Sequence, residues 1–123
     1  MTFNLVGVRG ERICKTPSPV KVLQHEKVLF VRAAAKHSVA VVESQEARPS
    51  SNSTRHEIWS WGGSGPWLGQ ADNDKDNSST SHTFVPRKIA MTVAVRDIAC
   101  ATEHTLLLSE QGHLYSCGSV RDL

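Results

Sequence analysis

Histidine, cysteine and tryptophan are the residues of this chain best placed to do chemistry, and their spacing decides what kind. His37 and His104 stand out, because each precedes a hydroxyl residue (Ser38 or Thr105) and then an apolar run. A histidine beside a hydroxyl could act as a general base to a nucleophile. Both, however, occupy the same place in a duplicated stretch, and no reaction needs one base per copy. They are read as structural residues that hydrogen-bond to backbone at a turn. The three cysteines, Cys14, Cys100 and Cys117, form no CxxC pair. Neither a zinc site nor a disulfide framework follows from an odd, widely spaced set. Reduced thiols fit the cytoplasm or nucleus.

The remaining constellations are weaker. Asp72-Asn73-Asp74-Lys75-Asp76 opens like a calcium loop, but Asn77 stands where glycine is needed and Thr83 where the closing glutamate belongs. Gly62-Gly63-Ser64-Gly65-Pro66 lacks the Gly-Lys-Ser/Thr of a phosphate loop. No nucleophile elbow is present. The chain is therefore read as a non-enzyme with no cofactor and no metal, and a metal- or nucleophile-dependent enzyme is the weakest alternative. Trp59 and Trp61 are expected on opposite sides of one strand, with one in the core. Trp67, in a loop, is the candidate interaction residue.

The elements that must position these residues come from a repeat. An offset of 67 residues sets His37-Ser38-Val39-Ala40-Val41 on His104-Thr105-Leu106-Leu107-Leu108. It also sets Pro19-Val20-Lys21-Val22 on Pro86-Arg87-Lys88-Ile89, and Val31 on Ile98. Further on, the offset falls to 56, placing Ile58-Trp59-Ser60-Trp61-Gly62 on Leu114-Tyr115-Ser116-Cys117-Gly118. The difference is an insertion in the first copy within 43–57, around Pro49, Asn52 and three serines. That is loop composition. In the second copy, Ser109 to His113 reads as a tight hairpin with Gly112 at positive φ. Lys27–Ala35 and Val93–Ala101 read as buried strands, approached by Pro19 and Pro86.

The sequence divides accordingly. Residues 1–16 lack the repeat signature; 17–70 form the first copy; 71–83 form a polar loop; 84–118 form the second copy; 119–123 begin a further connection. The formal net charge of +2 gives no basic stripe for nucleic acid or chromatin. No stretch is apolar enough for a membrane-spanning helix.

His-Ser/Thr, an apolar strand, a turn, aromatic-x-Trp61-Gly62, a Gly-rich connection ending in Leu68-Gly69 and then Pro86-x-x-Ile89 resembles the repeat of the regulator of chromosome condensation family. Cys117 stands where the family has tryptophan, and Ala34 and Ala101 where it has glycine. The resemblance implies an all-β, partial β-propeller: about two blades of antiparallel strands with long loops. Its structural positions here are His37, His104, Trp61, Gly62, Gly118, Pro19 and Pro86. It implies a protein-interaction module with a protein partner. The alternative is part of a guanine-nucleotide exchange factor for a Ran-type small GTPase, associated with chromatin. Family propellers close with seven blades, so this chain is expected to be a fragment that needs further blades to fold.

Overall fold

A computed structural model describes residues 16–44, 55–63, 65, 68–69 and 83–119. A short 3-10 turn, Lys21–Leu23, precedes seven strands: β1 (Val28–Ala33), β2 (His37–Glu43), β3 (His56–Gly62), β4 (Thr83–Val93), β5 (Val95–Cys100), β6 (His104–Ser109) and β7 (Leu114–Gly118). They form two antiparallel sheets, β1-β2-β3-β4 and β5-β6-β7.

The duplication is visible bond by bond. Ala34 N–H donates to the His37 carbonyl at 2.8 Å, and Ala101 N–H to the His104 carbonyl at 2.9 Å. Gly63 N–H reaches the Lys36 carbonyl, and Ser119 N–H reaches the Glu103 carbonyl. The pairing is irregular between Val28 and Phe30 in the first sheet and between Val95 and Asp97 in the second. Equivalent residues thus make equivalent backbone bonds, and the His37 and His104 segments share one conformation.

Alternation along the strands sends successive side chains to opposite faces. One face of the first sheet carries Val39, Val41 and Ile58 onto Val95, Ile98 and Leu107 of the second, forming a single buried cluster. The other face carries Ala40, Val42 and Trp61, covered by Leu23 of the 3-10 turn.

Three expectations are corrected. Lys27–Ala35 is not a buried strand: Val28, Leu29 and Val31 are exposed, because β1 is an edge strand. Pro86-Arg87-Lys88-Ile89 does not match Pro19-Val20-Lys21-Val22 in structure. The first lies in β4 and pairs with β3, whereas the second leads into a 3-10 turn. Pro86 sits where the β3–β4 register slips between Ser60 and Gly62, a place for a residue with no N–H to give. Trp59 and Trp61 share one face, since residues two apart on a strand point the same way; both pack with Ala40 and Leu23.

The insertion leaves the hairpin intact, for Ser44 N–H donates to the Arg55 carbonyl at 3.1 Å. Replacing residues 45–54 with a turn like that at Glu110–His113 is expected to shift unfolding stability by less than about 1 kcal/mol. Chemical denaturation followed by circular dichroism reads this directly.

Candidate interaction surface

The sheet-to-sheet seam shows what the duplicated residues do. His37, at the start of β2, is fully buried. Its Nε2 lies 2.7 Å from Thr105 Oγ1, at the start of β6. The histidine of one copy thus engages the hydroxyl residue beside the histidine of the next. This explains why the two residue types occur as a pair, and it replaces the expected bond to backbone at the turn. Burial holds the His37 imidazole below its usual range. Thr105 pairs with Cys100 on one side and Cys117 on the other. Burial pushes both thiols up, and the Thr105 hydroxyl opposes that rise. Burial depresses the imidazole and raises the thiols, and the His37–Thr105 bond ties one sheet to the next. Among the described residues, no group of three or more side chains is placed to hold a metal.

Two further buried polar bonds start from β3, one of them across the seam. His56 Nδ1 accepts the Val95 N–H at 2.8 Å, so β3 fixes the start of β5. His56 lies within the stretch assigned to the insertion, and its signal was the alternation His56, Ile58, Ser60 on one face. Ser60 Oγ donates to the Leu68 carbonyl at 2.7 Å and ties down the connection after β3. At the rim, Lys36 pairs with Glu103 at 3.6 Å and Arg32 with Asp97 at 2.9 Å. Both are partly exposed and add tenths of a kcal/mol, up to about 1.

The other structural positions fall into place around this seam. Gly62 and Gly118 have φ of 121° and 150°, and Trp61 and Pro86 are buried while Pro19 is exposed. Trp67 lies outside the described residues, as do the polar loop 71–82 and all of the N-terminal segment but Thr16. His104 is exposed, unlike His37.

That exposure marks a surface. The face of the second sheet turned away from the first carries His104, Leu106, Leu108 and Leu114. These are the equivalents of His37, Val39, Val41 and Ile58. The first-sheet residues are 0–2% exposed, whereas Leu106 is 40% and Leu114 67% exposed. At the opposite end, a groove of about 450 Å³ beside β1 is lined by Val20, Leu23, Val31, Ala33, Ser38 and Trp61. Four of these, Val31, Ala33, Ser38 and Trp61, are the equivalents of Ile98, Cys100, Thr105 and Cys117, the surface that receives His37.

Comparison with solved structures bears on this arrangement. The crystal structure of Kap60 bound to yeast RCC1 (Prp20) holds a chain that superposes with a TM-score of 0.54 and 26% identity over 74% of this chain. This is a partial propeller. The chain spans 18% of the length of that neighbour. No protein-family model matches the sequence. The likeness therefore carries the blade architecture and suggests the repeat family.

Proposed function

We propose that the chain is a non-catalytic protein-interaction module that recognises its partner through the open face of its second sheet. One observation carries this reading. His104, Leu106 and Leu114 stand exposed, with Leu108 half-buried beside them, in the arrangement that, one copy earlier, builds a buried and hydrogen-bonded seam. A contiguous apolar patch with a polar anchor is the signature of a protein contact. The solved neighbour was captured in a complex with another protein, Kap60, which agrees with this class of role. The small net charge favours a protein over nucleic acid, and Cys100 and Cys117, which form no disulfide, suit the cytoplasm or nucleus. No described residue favours nucleotide exchange on a GTPase over plain protein binding.

The test places a photo-crosslinking side chain at position 114 in cells that produce the protein. Discrete protein adducts are expected, reduced at least about tenfold by Leu106→Asp, since a charge buried in an apolar contact is strongly unfavourable. Absence of adducts from position 114, or adducts indifferent to Leu106→Asp, overturns the reading.

A further inference from the structure

We propose that Ser18 is a phosphorylation site for a proline-directed serine kinase. The site lies at the groove beside β1, away from the open face of the second sheet.

The motif is Thr16-Pro17-Ser18-Pro19-Val20-Lys21. Of the five prolines in the chain, two follow a hydroxyl residue, and both are here. Proline has no N–H to give. A kinase cleft with no acceptor at the position after the target hydroxyl takes proline there. It disfavours other residues, whose donor would be buried without a partner. Lys21, three residues beyond Ser18, supplies a cation for acidic groups or phosphate at the edge of such a cleft. Thr16 has Pro19 at that distance and no base. Ser18 is therefore the better acceptor of the two.

The fold presents this stretch as a kinase needs it. Residues 16–19 are exposed, and so is Lys21. The first strand begins only at Val28, so no sheet pairing has to open. Pro19 pushes Ser18 toward extended backbone, and Val20 is extended, with φ −81° and ψ 100°. Ser18 Oγ donates to the Thr16 carbonyl at 3.2 Å, a local and exposed bond that water can replace. Ion pairs among the described residues draw on Lys27, Arg32, Lys36 and Lys88 and leave Lys21 outside them. The second copy lacks both features. Val85 precedes Pro86, and Pro86 is buried within β4.

In the transfer, the Ser18 oxygen attacks the γ-phosphorus of ATP. The new O–P bond replaces the one to the β-phosphate oxygen, ADP leaves, and the hydroxyl proton passes to the catalytic aspartate of the kinase. The phosphoserine carries a charge of about −1.5 to −2 at neutral pH. One phosphate thus nearly cancels the formal net charge of +2. Pro19 and Val20 line the groove beside β1, so the modification charges the rim of an apolar groove without touching a strand.

Incubating the full chain with a purified cyclin-bound proline-directed kinase and γ-labelled ATP tests this. Stoichiometric incorporation is expected, and peptide mass spectrometry of the wild type should place it on Ser18. Isoelectric focusing should show a fall from a pI of about 8.6 toward neutrality. Ser18→Ala should abolish incorporation, and Thr16→Ala should leave it unchanged. Pro19→Ala should slow it about tenfold or more, the cost of burying one unsatisfied N–H. Lys21→Ala should slow it about threefold, the scale of an exposed charge pair. Phosphorylation only after heat denaturation overturns the proposal, because the native chain must present Ser18. So does label that persists in Ser18→Ala, a rate indifferent to Pro19→Ala, or no incorporation at all.

Discussion

His37→Ala is expected to lower the unfolding free energy by about 3 kcal/mol, through the loss of a fully buried side chain and of its bond across the seam. The imidazole is fully buried between the sheets, and its Nε2 bond to Thr105 Oγ1 is 2.7 Å long. Alanine leaves a cavity where two sheets meet and removes the bond that His37 makes to Thr105. Thr105→Val, which keeps the shape and deletes the hydroxyl, is expected to cost less in the His37→Ala background than in the wild type, because the bond to His37 is already lost there. Urea denaturation of the two single variants and the double variant reads the coupling. A His37→Ala loss below about 1 kcal/mol, the scale of a surface substitution, would mean that the histidine does not hold the seam.

The same burial sets a pH dependence. The His37 pKa is depressed below 6.5, because the charged ring is poorly solvated. Above that value both folded and unfolded chains hold a neutral ring, and the seam has its full strength. As pH falls below it, the unfolded chain takes up a proton that the folded chain resists, so stability declines toward acid. Lys36, next to His37 in the chain, pairs with Glu103 at the rim. His37→Gln removes the titrating group, so the acid slope of its thermal midpoint should be shallower than that of the wild type.

The strands and turns were legible in the sequence because they depend on near neighbours. The apolar run after each histidine became β2 and β6, and Gly112 took the positive φ that a tight hairpin requires, at 87°. What required distant partners was not legible. Pro86 opens the second copy by sequence offset, yet its strand completes the first sheet beside β3. Nothing local to residues 83–93 specifies which neighbour will accept their hydrogen bonds. The interaction surface shows the same division. The repeat placed His37 and His104 in equivalent turns. Only the stacking of the sheets revealed that one bonds the next copy's threonine while the other faces solvent. His56 escaped notice because the loop chemistry before it masked the first residue of β3.

Gly118→Ala separates backbone geometry from crowding, and is expected to destabilise the chain by about 3 kcal/mol or more. Gly118 ends β7 with φ of 150°. A Cβ there would overlap the Glu103 carbonyl oxygen and come within 2.8 Å of His104 Cα. Neither is a flexible side-chain tip, so the turn before β6 must move. That turn presents His104 to the open face, so the substitution should weaken partner contact there as well as folding. Gly112→Ala is the control. It also has a positive φ, but its Cβ would meet nothing within 4 Å, and the expected loss is only about 1 kcal/mol. Urea denaturation of each single variant measures the two losses. Equal losses would place the requirement for glycine in φ alone. A larger loss at Gly118 means that the close approach of β7 to the His104 turn is what this repeat must preserve, beyond the positive φ that Gly118 shares with Gly62 at 121°.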